Sequence, residues 1–455
     1  MNLKKWQIHQ DNSLKDGLSV IELNHCGILF AHNDDMEIIG VATDGDIRRS
    51  LLDGKKLDSK ILSLVNKEYI SAGINSSREE LMKKFDNGIT AIPILTSKNK
   101  LQDVITRDNL PVINQGKIYA RSKAPVRVTF GGGGSDLTHY FKNDRGAVLN
   151  ATISIFSHAL LKKRVDKRVI ICSYDLNETL KANTLKQALL KKGSLKLIQS
   201  ILETINPHFG FELYINSDFP VGSGLGGSSA VMASVIGCFN EFREDKWNLH
   251  EIAELAYQAE RILMGVSGGW QDQYASVFGG FNFMEFNYDN NNITPLRLSK
   301  DIILELEENL VLCDLNLPHD SNTIHNDQKI EMEKPKVNKL VTSNVALTDK
   351  IKDSLIKGKI IEIGQSLDKV WELKKQFGKK ITNSKINKIY EDAKKNGAIG
   401  GKLLGAGGGG FFLFYASSSR KNELVSHLKD TGKIVRNFQF DQLGLQSWKI
   451  RENDS

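Results

Sequence analysis

A glycine-rich stretch near the middle of the chain, Pro220-Val-Gly-Ser-Gly-Leu-Gly-Gly-Ser-Ser-Ala230, lies between two runs of different periodicity. The alternating run before it (residues 211–219) predicts a strand, and the apolar run after it (231–242) predicts a helix. The segment from Gly222 to Ser229 holds four glycines and three serines, which is more than a turn requires. Unpaired N–H groups at a helix start attract anions, and glycine lets the backbone approach a ligand closely. We therefore predict a phosphate-binding loop at the start of a helix.

Two better-known phosphate-binding motifs do not account for this loop. Gly222, Gly224 and Gly227 fit the spacing of the dinucleotide fingerprint, but that motif requires a second strand ending in an acid about 20 residues later. Here the predicted helix is still running at Glu241. A Walker loop requires a Gly-Lys pair followed by Ser or Thr, which this stretch lacks. The loop is thus a phosphate site of another kind.

The composition is that of a soluble globular protein, since 40% of the 455 residues are hydrophobic and 25% are charged. This length predicts about three domains. No run approaches the about 18 apolar residues that a membrane span needs, and the N-terminus lacks the apolar core of a signal peptide. The four cysteines are widely separated, which indicates free thiols in a reducing compartment. We expect a cytoplasmic protein without a membrane partner.

The charge is unevenly distributed along the chain. Residues 1–116 hold 15 Lys and Arg against 16 Asp and Glu, whereas the remainder holds 46 against 38. A basic excess favours anionic partners. Because no basic run is interleaved with aromatic residues, we expect phosphorylated small molecules as partners and no nucleic acid.

An internal repeat occupies the first quarter of the chain. Residues 39–47 match residues 102–110 at an offset of 63, and a β-rich run precedes each copy. Two similar units predict a pair that buries a shared core. Residues 1–116 resemble a tandem pair of CBS modules, whose Gly-Val-x-Thr-x-x-Asp-Ile signature is good in the first copy and degraded in the second.

The CBS resemblance implies that the pair holds an adenine nucleotide or a nucleotide-sugar. Thr43 and Asp46 would bind it in the first module, and Thr106 in the second, where Asn109 replaces the usual Asp. A purely structural or dimerising pair is an equally open interpretation. The stretch 114–117 is predicted to be the linker to the rest of the chain.

Two further glycine-rich loops accompany the central one. A β-branched run, Val126 to Phe130, leads into four glycines, Ser135 and Asp136. Another run, Gly400 to Phe414, follows a predicted helix and enters a predicted strand. An acid directly after such a loop could accept hydrogen bonds from sugar hydroxyls, or it could cap a helix. Three such loops in one region favour a ligand site.

With these three motifs in this order, residues 117–455 resemble the GHMP kinases. The resemblance implies an α+β, two-lobed fold: a ribosomal protein S5 domain 2-like ATP-binding domain (117–310) and a ferredoxin-like C-terminal domain (311–455), preceded by the CBS pair (1–116). Within the family, the stretches around residues 130–137, 268–274 and 401–411 are most similar to the branch that acts on D-glycero-D-manno-heptose 7-phosphate. The implied product is heptose 1,7-bisphosphate, used for nucleotide-activated heptose and surface polysaccharide.

The resemblance also implies a role for each motif residue. The central loop would hold the phosphates of ATP through Gly222, Ser223, Gly224, Leu225, Gly226, Gly227, Ser228 and Ser229. Mg²⁺ would be held by Ser229 and Glu260, although Glu260 could also lie on a solvated helix face. Asp272 would be the base for the sugar hydroxyl, and Arg127 would stabilise charge near Asp272 or on the transferred phosphoryl group. The substrate would meet Gly133, Gly134, Ser135, Asp136, Gly407 and Gly408.

Some questions stay open at the level of the sequence. Lys162, Lys163, Arg164 and Lys402 could each meet a sugar phosphate, and no spacing argument selects among them. Another sugar 1-kinase, for example one acting on fucose, and a nucleotide-sensing binding protein with an inactive kinase fold are the alternatives. A homodimer is expected.

Overall fold

The structure is a computed structural model that describes residues 3–110, 117–317 and 321–452. The chain divides into two compact units, which meet in sequence between Gly116 and Lys117. The predicted linker (114–117) lies outside the described residues except for its last position.

The N-terminal unit contains the predicted repeat as two copies of one arrangement. The first copy consists of β1 (Gln7–His9), α1 (Leu14–Asn24), β2 (Ile28–His32), β3 (Ile38–Thr43) and α2 (Asp44–Leu52). The second consists of β4 (Ala72–Gly73), α3 (Arg78–Phe85), β5 (Ala91–Leu95) and β6 (Leu101–Thr106), followed by a short 3₁₀ turn, Arg107–Asn109. In each copy the first strand pair is parallel and the second antiparallel. Side chains of both copies share one apolar cluster, which includes Phe30 and Val104, so the prediction of a shared core is confirmed.

The second unit is built on two sheets and twelve helices within its described residues. Its strands in chain order are β7 (Lys117–Gly131), β8 (Gly146–Lys163), β9 (Val169–Ser173), β10 (Glu178–Ala182), β11 (Phe211–Ser217), β12 (Phe281–Phe286), β13 (Asn291–Pro295), β14 (Leu310–Asp314), β15 (Ala398–Leu403), β16 (Phe411–Ala416), β17 (Ile434–Arg436) and β18 (Gln446–Glu452). Its helices are α4 (Thr138–Phe141), α5 (Leu185–Leu190), α6 (Lys196–Ile205), α7 (Gly227–Asn240), α8 (Leu249–Tyr257), α9 (Gln271–Phe278), α10 (Lys300–Asn309), α11 (Ser321–Met332), α12 (Pro335–Ile356), α13 (Ile360–Lys374), α14 (Ser384–Lys395) and α15 (Ser418–Asp430).

The larger sheet has eight strands, and the long strand β8 lies at its centre. One path through it runs β10-β9-β11-β8-β12-β13, while β7 pairs with both β8 and β18. The predicted strand at 211–219 and helix at 231–242 correspond to β11 and α7. Helix α7 packs on β7 and β8, and most of its residues are buried. Its many small side chains let it lie close to the sheet.

The smaller sheet is antiparallel throughout and has the order β15-β16-β14-β17. Helices α13, α14 and α15 pack against it. This arrangement agrees with the expected α+β, two-lobed architecture. The last strand of the chain departs from a simple division at residue 310, because β18 returns to the larger sheet and pairs Glu452 with Lys117.

Within the described ranges, no helix combines the length and the apolar character that a membrane crossing requires.

Candidate active site

All three glycine-rich loops of the second unit meet at one cavity of about 440 Å³. Its apolar lining residues include Leu176, Ile198 and Phe219. Its charged lining residues carry both signs: Arg127, Asp136, Glu260, Arg261, Asp272, Lys374 and Lys402. The cavity therefore offers apolar contacts for a flat ring as well as polar groups for phosphates and hydroxyls.

The central loop enters α7 through a tight glycine turn. Gly222, Gly224 and Gly226 have φ values of 77°, 75° and 78°, in the left-handed region that side chains rarely adopt. A Cβ on Gly226 would lie 3.2 Å from the Asp272 carboxyl carbon. The loop thus brings the N-terminus of a 14-residue helix, with its unpaired N–H groups, against a carboxylate at the cavity.

Arg127 and Asp272 form a two-pronged ion pair in the cavity wall. Arg127 Nε and Nη2 donate to the two carboxylate oxygens of Asp272 over 2.8 Å each, and Nη1 donates to the Gly224 carbonyl over 2.8 Å. Arg127 is 3% exposed, so its charge depends on this partner. The guanidinium thus joins Asp272 to the central glycine-rich loop through the Gly224 carbonyl.

Asp136 faces the same region from the first glycine-rich loop. Its carboxylate accepts from the Gly134 N–H over 3.1 Å, from the Gln271 N–H over 3.3 Å and from Gln271 Nε2 over 3.2 Å. Burial and the neighbouring Asp272 carboxylate raise the pKa of Asp136. A Cβ on Gly269 would lie 1.8 Å from this carboxylate, so glycine is required there.

Glu260 lies on a π-helical turn, Gln258–Leu263, that follows α8. The Ser228 hydroxyl donates to Glu260 Oε1 over 2.5 Å, and the Ser229 hydroxyl lies 3.5 Å from Oε2. Glu260 is only 3% exposed, so the alternative of a solvated helix face is wrong. A carboxylate beside two hydroxyls is an oxygen set that suits Mg²⁺, which keeps several waters and takes few protein ligands.

Two glutamines on α9 contact these groups, and the sequence motifs had not singled them out. Gln271 donates to Asp136, as described, and accepts from the Thr129 hydroxyl over 2.8 Å. Gln273 donates from Nε2 to Glu260 Oε2 over 2.7 Å. Their positions on either side of Asp272 were the only sequence signal that could have identified them.

Two buried lysines line the cavity from the C-terminal part of the unit. Lys374 Nζ donates to the carbonyls of Leu403 and Gly405, and Lys402 Nζ donates to the Thr129 carbonyl over 2.7 Å. Burial and the charge of Arg127 lower the pKa of Lys374 to about 7, and burial also lowers that of Lys402. Lys402 was one of four candidates from sequence, whereas Lys374 comes from α13, where no motif marks it.

The other predicted site residues occupy supporting positions. The Ser135 hydroxyl donates to the carbonyls of Gly132 and Ala147, which stabilises the loop. Leu225 is fully buried, and its carbonyl accepts from the Arg127 N–H over 3.0 Å. In the third loop, Gly405 and Ala406 line the cavity, while Gly407 and Gly408 pack against Ile381. The remaining predicted positions of the first two loops that line the cavity are Gly133, Gly134, Ser223, Gly227 and Ser228.

Three of the four cations considered from sequence have partners elsewhere. Lys162 lies over the Tyr119 ring at 4.7 Å, and Lys163 lies over the Phe209 ring at 5.0 Å. Arg164 pairs with Asp166 over 2.7 Å and with Glu212. These contacts belong to the end of β8, so Lys402 is the candidate of this group that the structure brings to the cavity.

In the N-terminal unit, the residues that were predicted to bind a nucleotide act as helix caps. The Thr43 side chain and Asp46 form a reciprocal capping box at the start of α2, with their oxygens 2.6 Å apart. Thr106 and Asn109 form the same box at the 3₁₀ turn after β6. Asn109 therefore preserves the local structure without the carboxylate of the first copy.

Comparisons with known proteins agree with this architecture. Residues 189–280 match the family described as GHMP kinases N terminal domain, and residues 351–434 match GHMP kinases C terminal. Residues 61–110 match the CBS domain, which covers the second copy of the repeat.

Individual relatives resemble the second unit over nearly their whole length. The D-glycero-alpha-D-manno-heptose 7-phosphate kinase of Campylobacter jejuni is 37% identical over 337 residues, which covers 72% of this chain and 99% of that protein. The crystal structure of a D-glycero-D-manno-heptose 1-phosphate kinase from Bacteroides thetaiotaomicron has a TM-score of 0.61 and 30% identity, covering 73% of this chain and 100% of the other.

A more distant relative acts on another sugar. The bifunctional fucokinase/GDP-fucose pyrophosphorylase of Arabidopsis thaliana is 27% identical over 305 residues, covering 62% of this chain and 28% of that protein.

Proposed function

The chain belongs to the GHMP kinase family and is a sugar kinase of that family, and we propose that it transfers the γ-phosphoryl group of ATP to the anomeric hydroxyl of D-glycero-D-manno-heptose 7-phosphate. The product would be heptose 1,7-bisphosphate. The observation that best supports this proposal is the Asp272–Arg127 ion pair at 2.8 Å in a cavity that the central loop and Asp136 also line.

The geometry supports a direct transfer to a bound hydroxyl. Asp136, held by Gln271, would accept a hydrogen bond from the sugar. Asp272 would take the proton of the attacking hydroxyl, while Arg127 would keep its carboxylate oriented and balance the charge. General-base help of this kind typically supplies about 10²–10⁴-fold in rate, so positioning by the loops would supply the rest.

The phosphates of ATP would lie along the central loop at the start of α7, with the base of the nucleotide on the apolar side of the cavity. Glu260, Ser228 and Ser229 fit a Mg²⁺ ion, which when bound would neutralise charge on the phosphates. Glu260 and the two serines would hold and orient that ion by their oxygens.

Two lysines that line the cavity support a phosphorylated sugar. Lys374 and Lys402 lie beside the third glycine-rich loop, and both are nearly fully buried. Burial lowers the pKa of both amines, so an anionic group of the substrate would favour their charged form and would itself be stabilised by it. A neutral sugar would not offer that interaction.

The test is ADP release by the pure protein with ATP, Mg²⁺ and a panel of acceptors. We expect turnover with heptose 7-phosphate, and at least about tenfold lower kcat/KM with the unphosphorylated heptose, since a charged hydrogen bond contributes about 1.5–3 kcal/mol. If no ADP is released at any of the sugar phosphate concentrations tested, the proposal is contradicted.

A fucose-type acceptor is the second candidate, and the resemblance to the fucokinase region of the Arabidopsis thaliana protein favours it. L-fucose belongs in the same panel. Turnover with L-fucose and none with the heptose phosphate would select this candidate.

For the N-terminal unit we propose an adenine nucleotide or a nucleotide-sugar as a regulatory ligand, near Thr43, Asp46 and Thr106. Calorimetry of the full chain, with the kinase site saturated by an ATP analogue, would reveal a second binding event. A structural or dimerising pair predicts no such event. Light scattering would test the expected homodimer.

A further inference from the structure

Three consecutive residues at the start of α9 contact three different charged side chains of the site. Gln271 contacts Asp136 and Gln273 contacts Glu260, while Asp272 between them contacts Arg127. Successive residues of an α-helix point about 100° apart, so one turn reaches three different segments. Each side chain of this turn therefore contacts one charged group of the site.

We propose that Gln273 is a positioning residue for the cation: it fixes Glu260 in the orientation that binds Mg²⁺ with the nucleotide, separately from the acceptor sugar. This inference rests on the proposed function, since Glu260 is assigned there to the ion. Gln273 itself would not touch the ion or the reacting atoms.

The contacts of Glu260 support this role. Its Oε1 accepts from Ser228 at the start of α7, and its Oε2 accepts from Gln273 Nε2 over 2.7 Å. Arg261 Nη2 also lies 3.3 Å from Oε2. The amide of Gln273 thus holds Oε2, which also lies 3.5 Å from the Ser229 hydroxyl, while Oε1 faces Ser228, a residue that lines the cavity. Residues that orient a metal ligand in this way typically contribute about 10–100-fold to metal affinity.

Apolar packing alone does not explain an amide at this position. Gln273 is fully buried, and among the residues that the structure describes its Oε1 has no hydrogen-bond donor. Such an acceptor costs about 1–3 kcal/mol, which an apolar side chain of similar size would avoid. The bond from Nε2 to Glu260 is the feature that an apolar residue could not reproduce.

Gln271 provides the matched comparison on the same turn. Its amide holds Asp136, the carboxylate assigned to the sugar, and it makes no contact with Glu260 among the described hydrogen bonds. The two glutamines have the same side-chain chemistry, and they directly precede and follow Asp272 in the sequence. Changes at them should therefore separate cation binding from acceptor binding.

The experiment titrates the full chain with Mn²⁺ in place of Mg²⁺, in the presence of ATP and without sugar, and follows free Mn²⁺ by electron paramagnetic resonance. We expect Gln273→Leu to weaken Mn²⁺ binding about 10–100-fold and to leave the KM for heptose 7-phosphate within about twofold, measured at saturating metal. Gln271→Leu should raise that KM and leave Mn²⁺ binding within about twofold. Gln273→Asn, whose shorter amide cannot reach Glu260, gives the result in case the leucine variant does not fold.

The outcomes are distinct. Unchanged Mn²⁺ affinity in both Gln273 variants overturns the inference while the proposed kinase activity stands. Equal changes in Mn²⁺ affinity and sugar KM also overturn it, because they indicate general damage to the cavity. If the wild-type chain itself does not bind Mn²⁺ with ATP, the proposed function fails and this inference fails with it. If the chain phosphorylates a different sugar, the expected effect of the Gln273 variants on Mn²⁺ affinity stays the same.

Discussion

Replacing Asp272 by Asn removes the proposed base while keeping its shape. Arg127 would lose one of two charged hydrogen bonds, because the new amide N–H faces a guanidinium N–H. Breaking a buried ion pair typically costs about 3–5 kcal/mol. The Asp272 side chain is 18% exposed and Arg127 keeps its hydrogen bond to the Gly224 carbonyl, so we expect the free energy of unfolding to fall by about 3 kcal/mol.

The catalytic effect should be as large as the effect on folding or larger. Loss of general-base help predicts a decrease in kcat of about 10²–10⁴-fold. Binding of ATP should change by less than about threefold, because the phosphates are held by backbone N–H groups of the central loop. ADP release measures kcat, calorimetry measures ATP affinity, and thermal unfolding measures stability.

Asp349 offers a matched control, because it forms the same two-pronged pair with Arg145 over 3.0 and 3.1 Å outside the cavity. The pair is partly exposed, so Asp349→Asn should cost at most about 1 kcal/mol and leave kcat within about twofold. If Asp272→Asn turned over at the wild-type rate, the assignment of the base would be wrong. If it lost ATP binding and activity together, the residue would have to be regarded as structural.

Three further changes test other parts of the structure. Gly226→Ala adds a Cβ at φ 78° and 3.2 Å from the Asp272 carboxyl carbon, so it should cost about 1–3 kcal/mol in thermal unfolding and weaken ATP binding; an unaltered variant would contradict the tight loop. Lys374→Met should be more stable than wild type near pH 6, and this difference in stability should shrink as the pH rises from about 7 toward 10.5. The reason is that the pKa of Lys374 is lowered to about 7, so the folded wild-type chain binds fewer protons than the unfolded chain in that pH range. A difference in stability that does not change with pH would refute the buried charge. Thr43→Ala removes a helix cap and should destabilise the N-terminal unit by about 1 kcal/mol, whereas conservative Thr43→Ser should not; equal stability of all three would show that the cap contributes nothing.

The parts of the site that lie within one short motif could be predicted from the sequence. The central loop with α7, Arg127 on β7 and Asp272 at the start of α9 each depend on local spacing. Their meeting at one cavity followed from the resemblance to the family, since the order of three loops does not by itself bring them together.

The third loop shows where local spacing fails. A run of glycines has no side-chain pattern that could set its register, so the cavity positions fall at Gly405 and Ala406 and not at Gly407 and Gly408. Lys374 and Gln328 reach the cavity from helices α13 and α11. Only tertiary packing decides which polar residues of such helices face inward.

The π-helical turn and the pairing of β18 were also beyond the sequence patterns. The extra residue of a π turn changes which side chains face inward, and amphipathic periodicity does not reveal it. The pairing of β18 with β7 depends on contacts between opposite ends of the unit, which no local run of residues encodes.

That pairing of β7 with β18 makes the catalytic unit modular. Its entry and exit, Lys117 and Glu452, are direct neighbours across one strand pair. A second domain can therefore be fused at this corner, exchanged for another or transplanted as a cassette without cutting any strand of the sheet. Chimaeras that combine this unit with a different N-terminal domain should accordingly be joined at Lys117.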